Sequence, residues 1–360
     1  MNILVVSLLF PLIENPNRGI FVAHHVNDLE EAGHSVRIIN PLPRMIRYAE
    51  TSRSTLKGVA RTPKKYSTTR HEVLSPKFID FPDHPFPRMT LNSVARKAKW
   101  VIKNLGSWKP DIILCHTLFP SAQLASTLSK QWKIPWIGIV HGHDIDVGLQ
   151  HQTTGRHICS LAAKADGLVC VSQSLVEKAT MEQLNQNILY IPCRTEVGKD
   201  WARPMKPWKG RWRKETIDIL FPSDPRRPEK NYFLALQTGE ELERRGWKVG
   251  ITTLQHQPHD VALDRMLTAD VTIITSHRES GPMTARESIL CGTPVVAVDV
   301  GDMRTFLPPQ WIREYDAIDL ADGVEEALQH GWMHDEPSLA FCSKEEVMKA
   351  WTSLLAQHVE

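Results

Sequence analysis

Short, β-branched apolar runs alternate along this chain with longer stretches in which apolar residues recur every three or four positions. The runs fall at residues 2–7, 35–40, 111–115, 136–140, 167–171 and 187–191. After an interruption they resume at 217–222, 247–252, 271–275 and 294–298. Helix-period segments lie between them, among them 21–32, 94–105, 122–131, 231–245 and 282–291. Nearly continuous apolar strands separated by helices predict parallel sheets covered on both faces. The pattern occurs twice, so the expected fold class is α/β, with two Rossmann-like, doubly wound parallel-sheet domains facing across a cleft. In such sheets ligands bind beyond the carboxyl ends of the strands.

The interruption at 195–216 is dominated by Lys, Arg, Trp and Pro, has no apolar period, and reads as a linker. It sets the expected domains at 1–198 and 199–343. Residues 344–358 predict an amphipathic helix with no strand after it, so the tail 344–360 is free to pack back on the first domain.

Composition narrows this picture. A chain of 360 residues is too long for one ordinary core and suits two. With 42% hydrophobic and 23% charged residues it is globular rather than disordered. Six cysteines, at 115, 159, 170, 193, 291 and 342, form no C-x-x-C pair and mostly sit in apolar runs. They read as reduced core residues in a cytoplasmic protein with no metal site. The opening MNILVVSLLFPL lacks a basic leader region and reads as a first strand rather than a signal peptide. No run reaches the ~18 apolar residues of a membrane span.

The formal net charge of +2 is uninformative, but its distribution is not. Residues 44–103 carry fourteen basic and four acidic side chains. This excess reads either as a solvated surface segment or as a face drawn to anionic lipid, with Leu42, Met45, Ile46 and Tyr48 adding apolar contact. No helix-turn-helix, RRM or zinc pattern accompanies it, so nucleic acid is not an expected partner.

The most informative stretch is ADVTIITSHRESGPMTARESILCGTPVVAVDVGD, residues 269–302. A strand runs into a loop bearing Glu279, and Ser280-Gly281-Pro282 then opens a helix that ends at Gly292. Glycine permits close approach to the backbone, proline suits a first helical position, and a helix start favours an anion. Glu287 has Met283, Leu290 and Cys291 as its helical neighbours, which puts its carboxylate on the buried side. It therefore has either a ligand or a structural Arg or Lys partner. Upstream, LFPSDPRRPEKNYFLAL places Arg226, Arg227 and Lys230 in a loop between a strand and a helix.

Here the chain resembles glycosyltransferase family 4, which has two glutamates seven residues apart at such a junction, followed by a G-x-P-V-V-A-type strand. The resemblance implies that Glu279 binds donor-sugar hydroxyls and Glu287 the ribose hydroxyls. The backbone at Gly281, Pro282 and Met283 would face the diphosphate. Lys230 and an arginine, Arg226 with Arg227 as fallback, would stabilise the diphosphate leaving group in place of a metal. The segment IGIVHGHDID matches the family's H-G-x-D strand end through His141, Gly142 and Asp144, placing His141 near the reacting carbon. His116, at the end of the preceding strand, occupies a similar position. Gly19, before the first helix, would offer another helix start to an anion, although the family often has two adjacent glycines where this chain has Arg18-Gly19.

The resemblance thus implies a retaining transferase of the GT-B fold. It would move a sugar from a UDP- or GDP-linked donor to a hydroxyl acceptor, without cofactor or metal, in cell-surface polysaccharide or glycolipid synthesis. The acceptor would be lipid-linked, and the 44–103 region would rest on the inner face of the cell membrane. Other readings are a sugar-nucleotide epimerase of the same fold, a catalytically silent sugar-nucleotide binder, and a metal-dependent transferase using Asp144 and Asp146. A dinucleotide oxidoreductase is excluded because no G-x-G-x-x-G follows the first strand.

Overall fold

The structure, a computed structural model, describes residues 1–45, 56–203, 216–255, 257–330 and 339–358. Ile46, Arg47, Tyr48 and Arg53 of the basic stretch, most of the expected linker, and His256 lie outside the described residues. The chain divides into two compact units, Met1–Pro192 with Met348–Glu360, and Cys193–Val347. Residues 193–198 belong to the second unit, where the Thr195 N–H donates to the Cys342 carbonyl at 2.9 Å.

The first unit contains β1 (Asn2–Ser7), β2 (Ser35–Ile39), β3 (Leu42–Pro43), β4 (Lys65–Ser67), β5 (Glu72–Leu74), β6 (Lys77–Phe78), β7 (Ile112–His116), β8 (Trp136–Val140), β9 (Gly167–Cys170) and β10 (Ile188–Tyr190). Eight of these form one sheet in the order β10-β9-β8-β7-β1-β2-β5-β4, parallel except between β4 and β5. Its helices are α1 (Ile20–Glu31), α2 (Pro87–Ala95), α3 (Ala98–Leu105), α4 (Ser121–Trp132), α5 (Gly155–Ala162) and α6 (Gln173–Met181). In β1, Ile3, Leu4, Val5 and Val6 are all fully buried, as a strand covered on both faces requires. Each contributes about 1.5–3 kcal/mol of burial.

The expected helix at 94–105 is two helices, broken at Arg96-Lys97, with Leu91 and Val94 buried in one and Ala98 and Val101 in the other. The described part of the basic stretch is folded too. Its strands β4 to β6 are two or three residues long, too short to show a period. Tyr66 is buried there, its hydroxyl bonded to the Pro11 carbonyl and to Asn40 Oδ1, while Lys64, Lys65 and Arg70 point outward.

The second unit carries β11 (Thr216–Phe221), β12 (Lys248–Thr253), β13 (Val271–Ile274), β14 (Val295–Val298) and β15 (Ile312–Arg313), all parallel, in the order β12-β11-β13-β14-β15. Its helices are α7 (Tyr232–Arg244), α8 (His259–Thr268), α9 (Met283–Leu290), α10 (Met303–Phe306) and α11 (Ala317–His330). The terminal helix α12 (Lys344–Gln357) starts in this unit and passes into the first at Met348. Among the parallel strands of each sheet the direction of connection switches between β1 and β7 and between β11 and β13. The loops that leave these strands are where an α/β sheet holds its ligands.

Candidate functional site

In the second unit the switch point joins Lys230, in the loop after β11, to Glu279, in the loop after β13. Their side chains form an ion pair and are each only 14% exposed. Ser276 Oγ donates to the same Glu279 oxygen at 2.7 Å. The two loops are also tied through their backbones. Thr275 Oγ1 donates to the Lys230 carbonyl at 3.1 Å and the Asn231 carbonyl at 2.9 Å, and the His277 N–H donates to the Glu229 carbonyl at 2.9 Å. A third loop closes on the pair. Gly301, at φ +57°, packs so near that a Cβ there would lie 2.8 Å from the Glu279 carbonyl oxygen. Only glycine fits that approach. A cation and a carboxylate are therefore held side by side, partly out of water, where their charges act strongly on a bound ion.

Arg226 and Arg227 lie in the same loop but face elsewhere. Arg226 is 68% exposed and bidentate on Asp224, and Arg227 binds Glu229 at 2.7 Å. Of the three basic residues, the structure brings Lys230 to Glu279.

Glu287 lies on α9 and is buried, with Oε1 3.0 Å from His259 Nε2 at the start of α8. The bond to Glu287 raises the His259 pKa, against a smaller opposing effect of burial. Sequence reading left the Glu287 partner open between a ligand and an Arg or Lys. Here it is a histidine that lies 28 residues upstream, at the first position of α8. Helix α9 begins at Met283, so Pro282 is its cap rather than its first residue. The Met283 N–H is turned onto the Gly281 carbonyl at 2.8 Å.

In the first unit, Gly19 caps α1 at φ +61°, and a Cβ there would lie 2.5 Å from the Leu9 carbonyl carbon. The loop after β1 folds back on itself at this point. Arg18 pins it from inside, donating to the carbonyls of Phe10 and Leu8, and burial pushes its pKa down to about 10. Asp144 is 5% exposed and accepts the Leu118 N–H at 2.8 Å, which ties the ends of β7 and β8 together. Desolvation raises its pKa to about 6, against the backbone hydrogen bonds it accepts. Asp146 instead binds Lys178 at 2.6 Å, so the two aspartates are committed to different partners.

His141 does not stand alone at the end of β8. Its Nε2 lies 2.9 Å from His116 Nδ1, and His116 Nε2 lies 3.2 Å from His25 Nδ1. The Phe21 ring packs on His141 and the Trp351 ring on His25, with centroids 4.5 and 4.4 Å apart. Desolvation lowers all three histidine pKa values, to about 3 for His25 and His141. Sequence reading missed His25. Its signal was a histidine three residues after Val22 and four before Leu29, on the buried stripe of α1.

Two α/β units built on largely parallel sheets are the architecture of the GT-B glycosyltransferases. The chain belongs to that class through two family models: residues 19–193 match Glycosyltransferase Family 4, and residues 228–338 match Glycosyl transferases group 1. A protein of Bacillus subtilis described as a teichuronic acid biosynthesis glycosyltransferase, TuaC, is 24% identical over 84% of this chain and 82% of its own length. Among solved structures, a UDP-forming α,α-trehalose-phosphate synthase from Burkholderia xenovorans superposes with a TM-score of 0.67 at 14% identity, over 99% of both chains. Anabaena HepE, in complex with UDP and glucose, superposes with a TM-score of 0.59 at 13% identity, over 99% of this chain and all of its own. Among the described residues no helix is long and apolar enough to cross a membrane.

Proposed function

We propose that this chain is a retaining glycosyltransferase that moves a sugar from a nucleoside diphosphate sugar to a hydroxyl acceptor in cell-surface polysaccharide synthesis. The observation that carries this reading is the meeting of Lys230 and Glu279 at the switch point of the second sheet. A donor offers each of them a better partner. The diphosphate takes the ammonium of Lys230, and the sugar hydroxyls donate to the freed carboxylate of Glu279. Glu287 exchanges His259 for the ribose hydroxyls in the same way. The acceptor oxygen bonds to the anomeric carbon on the face the diphosphate leaves, the bond to phosphate breaks, and the leaving phosphate takes the acceptor's proton. Charge on the leaving group is met by Lys230 and by Arg226 or Arg227 once turned inward, so no metal is needed.

UDP is the favoured carrier, with GDP the other, since a protein of the same fold binds UDP. The likeness to TuaC supports a cell-surface polymer as the destination. A lipid-linked acceptor fits the first unit, where Ile79, Phe81, Phe86 and Met89 are exposed within the basic segment. Each Lys or Arg held near anionic lipid adds about 1 kcal/mol of attraction.

The test is a thermal-shift screen against UDP-, GDP- and ADP-sugars, repeated with Glu287→Ala, followed by NMR of the product's anomeric proton. One carrier should raise the wild-type Tm, the variant should lose the shift, and an α-linked donor should give an α-linked product with or without EDTA. An inverted product or abolition of transfer by EDTA would overturn the mechanism. Absence of any shift would overturn the donor site.

A further inference from the structure

Arg286, on α9, is fully buried inside the second unit. Among the described residues none of its three guanidinium nitrogens has a hydrogen-bond partner. The carboxylate next to it in the sequence, Glu287, bonds to His259 instead. The guanidinium carbon faces two rings, 5.0 Å from the Phe341 centroid and 5.4 Å from that of Phe306. Such rings offset only part of the cost of burying a cation, and an arginine cannot shed its proton. Two thiols lie within reach of its charge, those of Cys193 and Cys342. A thiolate there would neutralise it. Burial, however, pushes the Cys193 pKa up to about 11 and raises that of Cys342, against the opposing pull of Arg286, so both stay protonated. A buried cation among rings and thiols, with no acceptor for its N–H groups, calls for a ligand. Water would accept the hydrogen bonds but leave the charge unbalanced. An anion does both.

We propose that Arg286 binds one small monovalent anion, chloride or an ion of its size, in the interior of the second unit. The walls select that chemistry. One buried positive charge is balanced by one negative charge, whereas a phosphate dianion would leave a net charge out of water. Rings and thiols suit a weakly hydrated halide, to which an S–H group can donate weakly. A larger carboxylate-bearing molecule would need an opening to solvent, and the side chain is 0% exposed. The site is structural and goes beyond the transferase reading. It lies on the helix that carries Glu287. Cys193 and Cys342 belong to the segments next to the two points where the chain passes between units, at 192–193 and 347–348. The ion thus fastens α9 to both segments.

The test uses the intact chain, exchanged into sodium gluconate and titrated with sodium chloride or sodium bromide at constant ionic strength. Gluconate is too large for the site. Either halide should raise Tm saturably, by about 5–10 °C at a hundred times its dissociation constant. In crystals grown with bromide, an anomalous peak should stand beside the Arg286 guanidinium. Arg286→Leu removes the charge and leaves an apolar filling. It should abolish the halide effect and, in gluconate, melt at or above the wild type. Arg286→Lys keeps a charge and should keep a weaker halide effect. The wild-type titration and the crystal decide the matter even where a variant fails to fold. A flat titration, or water alone at the guanidinium, would overturn the proposal. A bromide peak with no effect on Tm would mean an adventitious ion only and would overturn it too. So would full halide dependence in Arg286→Leu, or stabilisation by phosphate and not by halide.

Discussion

The two units share an architecture and a place for their polar residues, yet they prepare those residues in opposite ways. At the second switch point the groups are charged and paired, Lys230 with Glu279, and Glu287 lies against a histidine whose protonation it favours. At the first, desolvation lowers the pKa of three contacting histidines and keeps them neutral, and it raises the pKa of Asp144. Charged pairs can trade partners with an incoming anion. Neutral histidines offer no charge for such an exchange. The same βαβ geometry thus holds charged pairs in one unit and a row of neutral histidines in the other.

The comparison breaks most readily at Lys230. Lys230→Ala should lower kcat by about 10²–10³-fold if its charge meets the leaving group. It also leaves Glu279 with Ser276 as its remaining hydrogen-bond partner among those seen. Steady-state transfer kinetics beside Tm decide this, and a variant with near-normal kcat would show the pair to be structural.

Acid should separate the units next. The folded pKa values of His25 and His141 lie near 3 and unfolded histidine near 6.5, so the unfolded chain takes up protons first as pH falls. Their stabilising effect is complete above pH 6.5 and is lost as pH drops toward 3, by up to about 1.4 kcal/mol per pH unit for each group. Asp144 acts in the opposite sense. Its folded pKa is raised to about 6, so its contribution is present below pH 3.8 and is lost as pH rises through 6. Three histidines outweigh one aspartate. Hydrogen exchange of β1 and α1 amides should show the first unit weakening between pH 6.5 and 4, and unchanged protection would contradict the neutral chain.

Gly301→Ala should cost about 1–3 kcal/mol locally, because it strains a positive φ and presses on the Glu279 backbone. Donor affinity measured by calorimetry should fall about tenfold or more, with β1 protection unchanged. The smallest effect is expected at His259. Because its pKa is raised by Glu287, acid strengthens their pairing and holds the carboxylate away from a ribose. Donor affinity should therefore decline severalfold as pH falls through that raised value, and His259→Gln should flatten the dependence. A profile identical to wild type would remove His259 from the donor site.

Much of the site could be read along the chain because its parts are local. Glu279, Gly281, Pro282 and Glu287 lie within nine residues, and a strand–loop–helix pattern dictates which of them is exposed and which faces inward. Lys230 was legible for the same reason, as the end of a basic loop after a strand. The partners were not legible. His259 meets Glu287, Gly301 meets Glu279 and Thr275 meets Lys230 only because the parallel sheet brings the segments that follow its strands to one edge. His25 and Trp351 reach the histidine chain across 91 and 326 residues of sequence.

By itself, then, the sequence determined two parallel α/β sheets and the residue types at their carboxyl ends, because apolar period and loop chemistry are properties of neighbouring residues. Tertiary structure decided which charge meets which, which histidines come into contact, and where the terminal helix returns. Pairing between side chains depends on how strands are ordered across a sheet, and that order is not written in any local stretch of chain.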